Sequence, residues 1–125
     1  MDLDGLDHVA LTVSDVARSI AWYSEVLNLR QLHAGEWGNR PAMLVAGGTG
    51  LALFELQSGE TMDPGTPGRF RHVAFGTSRT GFQNAQNELR QRDIDFEYED
   101  HRVSWSIYVS DPDGYRVEIT TYEPA

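Results

Sequence analysis

Side chains of metal-binding type recur in pairs along this chain. His8 lies in Leu6-Asp7-His8-Val9-Ala10-Leu11 and His72 in Phe70-Arg71-His72-Val73-Ala74-Phe75, 64 residues apart (72 − 8). Two acids set among hydrophobic residues, Glu55 in Leu53-Phe54-Glu55-Leu56 and Glu118 in Arg116-Val117-Glu118-Ile119, lie 63 residues apart (118 − 55). Two imidazoles with one or two carboxylates suit a borderline divalent ion, and such a set leaves coordination positions open for a substrate. Each residue alone has an ordinary reading: a strand histidine is more often a hydrogen-bonded core residue, and a glutamate near a strand end is usually solvated. It is their recurrence at matching places that makes His8, Glu55, His72 and Glu118 the expected ligands.

The elements that must position these groups also come in two copies. Each copy reads as a strand, a capped helix and three further strands. In the first, Ser14 or Asp15 is the helix N-cap, and Val16, Ile20, Tyr23 and Leu27 form an apolar stripe at helical spacing. Asn28 suits a left-handed residue closing that helix. Strands are predicted near 29–36, 41–46 and 51–56. In the second copy Ser78 caps a helix with Phe82, Ala85 and Leu89 on one side, and strands follow near 95–101, 104–110 and 115–122. Asp111-Pro112-Asp113-Gly114 has the composition of a tight turn.

Side chains alternate across a strand, so His8 shares a face with Leu6, Ala10 and Thr12, and His72 with Ala74 and Gly76. Both histidines therefore stand on the side with smaller neighbours, where there is room for a ligand. The expected architecture is α+β, one domain over 1–125 made of βαβββ modules 1–57 and 69–125, with the Gly- and Pro-rich stretch 57–68 as linker. One such module leaves a sheet face bare, which a second module can cover.

Composition narrows the function. A formal net charge of −9 argues against a nucleic-acid partner, which needs a basic face for phosphates. The absence of cysteine excludes disulfides, thiolate ligands and cysteine nucleophiles. No run is long and apolar enough for a membrane span, and Met1 to Ala10 has no leader character, so a cytoplasmic protein without membrane partners is expected.

From LDHVALTVSDVARSIAWYSEVLNL through RHVAF to DPDGYRVEI the chain resembles the vicinal oxygen chelate superfamily of glyoxalase I, extradiol dioxygenases, fosfomycin resistance proteins and bleomycin resistance proteins. The resemblance implies a half-open barrel of two βαβββ modules, with metal ligands at His8, His72 and Glu118 and a fourth, as in glyoxalase I, at Glu55. It implies one divalent ion (Fe2+, Mn2+, Ni2+ or Zn2+), a small substrate bound through neighbouring oxygens, and a homodimer. Catalytic roles are expected at Glu55 as a proton shuttle, and at His101 and Tyr108, which match the dioxygenases. Tyr108 precedes Glu118 by ten residues (118 − 108). The dioxygenase histidine that opens the fourth strand is missing, since that region reads Gly48-Thr49-Gly50-Leu51. The reaction is thus either glyoxalase-like isomerase or lyase chemistry or extradiol ring cleavage. A ligating Glu55 favours the first, and one that turns away favours the second. The alternative is a bleomycin-resistance-like binding protein that sequesters a small hydrophobic compound without catalysis.

Overall fold

The structure is a computed structural model, and it describes residues 1–62 and 70–124. The chain divides into two compact units, Met1–Asp63 and Pro64–Ala125. The second half of the predicted linker, from 63 onward, lies outside the described residues.

The first unit contains β1 (His8–Val13), α1 (Val16–Val26), β2 (Arg30–Leu32), the short α2 (Ala34–Trp37), β3 (Ala42–Ala46) and β4 (Thr49–Glu55). Its sheet has the order β1-β4-β3-β2, with β1 and β4 parallel and the other pairs antiparallel. The helix begins where the sequence has a cap: the Asp15 carboxylate accepts from the Arg18 amide, which satisfies one of the free N–H groups of the first turn. It ends as Asn28 turns left-handed, with φ +58°. Tyr23, Val16 and Ser19 of α1 are buried, and the helix packs on β2, β3 and β4 over Leu11, Leu44, Leu51 and Leu53.

One stretch departs from expectation. The strand predicted to reach residue 36 stops at Leu32, because His33 is left-handed (φ +62°) and opens α2 instead. His33 is at the surface, and its ring stacks at a tilt on Trp37, 4.6 Å between centroids. Trp37 is exposed.

The second unit contains β5 (Val73–Gly76), α3 (Arg79–Gln91), β6 (Glu97–Asp100), β7 (Trp105–Ser110) and β8 (Arg116–Thr121), in the sheet order β5-β8-β7-β6. Ser78 caps α3 by accepting from the Gly81 amide. Phe82 and Leu89 anchor the helix over Ile107, Val109, Val117 and Ile119. The β7–β8 hairpin closes through Asp111, whose Oδ1 accepts from the amides of Asp113 and Tyr115 at 2.9 and 2.8 Å. Gly114 supplies the positive φ (+87°) that this turn requires.

Each unit is therefore a βαβββ module, and the α+β class with two such modules stands as read from the sequence. No helix among the described residues is long and apolar enough to cross a membrane.

Candidate metal centre

In a strand ladder, directly opposed residues share a face, and the helix-free faces of the two sheets differ in chemistry. In the first unit that face carries His8, Ala10 and Thr12 on β1, paired with Gly50, Ala52 and Phe54 on β4, and then Val45 and Met43 on β3. β2 extends it with Arg30 and Leu32, so apart from His8, Thr12 and Arg30 it is apolar. In the second unit Ala74 and Gly76 of β5 pair with Glu118 and Thr120 of β8, which pair in turn with Tyr108 and Ser106 of β7; Arg116 pairs with Ser110. Glu97 and Glu99 of β6 extend the same face. Past Ala74 and Gly76 of β5 this face is polar across β8, β7 and β6.

The structure brings two of the four expected ligands together. His72, just ahead of β5, holds its Nε2 2.9 Å from Oε1 of Glu118. Two ligands at right angles around an ion, each about 2.1 Å from it, stand about 3 Å apart, so this pair has the spacing of adjacent coordination positions. A carboxylate only accepts, so the shared proton sits on His72 Nε2, and His72 must give it up to ligate through that atom. Among the described residues no group of three or more His, Asp or Glu side chains gathers in a way that could hold an ion.

His8 belongs to the first unit. Its Nδ1 lies 2.8 Å from Oδ2 of Asp7. Because the carboxylate accepts, Nδ1 carries the hydrogen, and in the neutral ring Nε2 is then the atom with a lone pair for a metal.

Glu55 is placed differently from expectation. His8 is opposite Gly50 in the β1–β4 ladder, whereas Glu55 is opposite Val13. The two residues are thus five steps apart, about 16 Å at 3.3 Å per residue, and alternation sends them to opposite faces. Glu55 sits on the helix side, in a cleft lined by Ser14, Asp15, Val16 and Ala17 at the start of α1 and by Trp37 to Arg40. His8 and Glu55 cannot share one ion. By register the counterpart of Glu118 is Ala52, since Ala74 faces Glu118 where Ala10 faces Ala52. Glu55→Gln is accordingly expected to leave the affinity for Zn2+ unchanged within about twofold by titration of the metal-free protein; a loss of about tenfold, the lower range for outer-shell partners, would contradict this placement.

Tyr108 and His101, matched to the dioxygenases in sequence, meet in the second unit. The His101 Nε2 is 3.0 Å from the Tyr108 hydroxyl and 3.4 Å from Glu99 Oε2. Both contacts fall on one nitrogen, so these contacts show no path through the ring between Glu99 and Tyr108. Burial, followed by the charges of Glu118 and Glu99, raises the Tyr108 hydroxyl above its ordinary pKa, which keeps it a neutral donor near pH 7. Arg116 lies over the Tyr108 ring, 4.2 Å from its centroid, while its Nη2 pairs with Glu97 at 2.9 Å.

Three contributors escaped the sequence reading: Ser106, which donates to Glu118 Oε2 at 2.7 Å, Thr120 beside it at 3.0 Å, and Asp7 on His8. The alternation Ser106-Tyr108-Ser110 on the strand was the available signal for the first.

The model of the "Glyoxalase/Bleomycin resistance protein/Dioxygenase superfamily" matches residues 5–119. The chain is 31% identical over 124 residues to the metallothiol transferase FosB of Lysinibacillus sphaericus, covering 97% of this chain and 84% of the relative. It is 29% identical over 117 residues to the glutathione transferase FosA of Serratia marcescens, covering 94% of this chain and 80% of the relative. A solved glyoxalase/dioxygenase from Nostoc punctiforme superposes with a TM-score of 0.81 at 27% identity, covering 99% of this chain and 94% of that one. With the family model spanning both βαβββ modules, the chain belongs to the glyoxalase/bleomycin resistance protein/dioxygenase superfamily.

Proposed function

We propose that the protein is a divalent-metal enzyme of this superfamily, with His8, His72 and Glu118 as ligands, that transfers a small thiol to a substrate bound through two neighbouring oxygens. The observation that carries the metal reading is the 2.9 Å approach of His72 Nε2 to Glu118 Oε1 on a polar sheet face. The third ligand in this reading is His8, whose Nε2 is left free by the Asp7 contact. Thiol transfer is favoured over other reactions by the names of the relatives, a metallothiol transferase and a glutathione transferase.

A bound ion would act as a Lewis acid on the substrate oxygens. The remaining work falls to the chain. Tyr108, neutral and anchored by His101, offers a hydroxyl to a substrate oxygen on the face shared with Glu118. Arg116 and Ser110 border the same face and suit a negatively charged substrate group.

Glu55 does not divide the reactions as its spacing suggested. A three-ligand site with open positions serves Lewis-acid catalysis as well as ring cleavage. Extradiol ring cleavage stays the second reading because His101 contacts the Tyr108 hydroxyl on the face that carries Glu118. Sequestration of a flat hydrophobic compound fits poorly with a face made of Ser106, Tyr108, Arg116 and Glu118. A homodimer belongs to the same proposal.

One experiment separates these readings. Metal-free protein is loaded in turn with Mn2+, Zn2+, Ni2+ and Fe2+. Consumption of glutathione or cysteine is followed with fosfomycin or methylglyoxal as acceptor, and oxygen uptake is followed with catechols. Thiol loss that requires metal supports the first reading. Oxygen uptake confined to the Fe2+ form, with no thiol loss, would establish the second.

A further inference from the structure

We propose that the helix-side cleft at Glu55 in the first module is a second binding site, for a small apolar amino acid or similar zwitterion, and that it works without metal.

The two modules differ at this place. The link between β2 and β3 runs over nine residues, 33–41 (41 − 33 + 1), and that between β6 and β7 over four, 101–104 (104 − 101 + 1). The longer link contains α2, entered through left-handed His33 and left through Gly38 at φ +62°. It brings Trp37 and Arg40 to the end of β4 that carries Glu55. By register the counterpart of Glu55 is Thr121, since Glu55 lies as far beyond Ala52 (55 − 52 = 3) as Thr121 beyond Glu118 (121 − 118 = 3). Thr121 is fully buried (0% exposed), whereas Glu55 is exposed. The first module therefore opens a hollow where the second is closed.

The hollow has a definite chemistry. A cleft of about 530 Å3 adjoins one of about 300 Å3, and Asn39, Arg40 and Glu55 border both. These volumes suit a small molecule. Arg40 and Glu55 carry opposite charges, yet neither side chain has an ion pair or hydrogen bond among the described residues, with each other or elsewhere. Opposite charges that share a cleft without neutralising each other are complementary to a ligand that carries both signs. Asp15 adds a second carboxylate to the cleft while its Oδ1 accepts from the Arg18 amide at 3.0 Å. An ammonium group thus has acidic partners in Glu55 and Asp15, and a carboxylate group has the Arg40 fork. Trp37 supplies the apolar surface. It is 45% exposed, lines the same cleft and is braced by the His33 ring. Glu55 has no part in the metal set, and this arrangement gives its charge a use on the opposite side of the sheet.

The test is calorimetric titration of the whole chain, with and without Zn2+. The probes are phenylalanine, phenethylamine, which lacks the carboxylate, and 3-phenylpropionate, which lacks the ammonium. Phenylalanine is expected to bind about tenfold tighter than either analogue, the worth of one hydrogen bond to a charged group. Glu55→Gln should weaken phenylalanine by about tenfold and leave 3-phenylpropionate unchanged. Arg40→Gln should weaken phenylalanine and leave phenethylamine unchanged. Zn2+ and His72→Ala should alter none of these affinities, so the result stands or falls apart from the metal reading. No binding of phenylalanine at millimolar concentration overturns the proposal, as does equal binding of the three probes. Loss of phenylalanine binding in His72→Ala also overturns it, because the ligand would then sit on the metal face.

Discussion

Replacing His72 by alanine is expected to weaken metal binding by more than the roughly 10–100-fold that loss of an outer-shell partner costs, because it deletes a ligand outright. The loss is expected to be visible as full release of Zn2+ or Mn2+ on dialysis against a mild chelator under conditions where wild type retains it. Glu118 without His72 is one ligand and holds no ion alone. Equal retention by the two proteins would show that the pair is only a hydrogen bond. The same variant reports on how modules pair. Mixed with His8→Ala chains, it regains part of the metal binding if modules are exchanged between two chains, since one heterodimer site then keeps both histidines. It regains none if each chain pairs its own modules. A protein that stays monomeric at micromolar concentration by light scattering would remove the dimer from the proposal.

Phe82→Ala is expected to cost about 3–5 kcal/mol of stability, the range for truncating a buried phenylalanine. Phe82 is 1% exposed and fixes α3 to its sheet, with its ring 6.4 Å from both Tyr98 and Trp105. Small domains are stable by about 5–15 kcal/mol, so a loss of this size leaves little in reserve. Urea unfolding followed by tryptophan fluorescence measures it, and Trp105 sits at the affected contact. A change below about 1 kcal/mol, the typical value for any point substitution, would mean that α3 is held chiefly by other residues.

What could be read from the sequence was local. Asp15 and Ser78 as caps, Asn28 as a left-handed close and the Asp111–Gly114 turn each depend on a few neighbouring residues, and the structure has all of them. The meeting of His72 and Glu118 was legible too, because both lie among residues with clear alternation. Glu55 was misread for a non-local reason. The β1–β4 ladder pairs residues 42 apart (50 − 8), and the β5–β8 ladder pairs residues 44 apart (117 − 73). Matching the modules by nearly constant spacing therefore aligned Glu55 with Glu118, whereas register aligns Ala52 with it. The intervening segments differ, and the short α2 after His33 is one place where the first module took its own course. Ser106 and Thr120 were missed because a strand serine has no signature until its cross-strand partner is known.

The turn at Asp111–Gly114 carries a consequence for the site it does not touch. Of the ladder pairs beyond it, Ser110 with Arg116 and Tyr108 with Glu118 lie on the polar face, and Val109 with Val117 between them lies on the helix side. Since alternation has a period of two, a slip of one residue in the closing loop would carry Glu118 under α3 and bring Val117 or Ile119 to the side of His72. The hairpin would still hold its backbone bonds, and the hydrophobic core would take up a buried carboxylate. The Asp111 oxygen that accepts from both Asp113 and Tyr115 thus works as a frame marker: it decides, by where it ends the turn, whether this strand presents chemistry or only bulk.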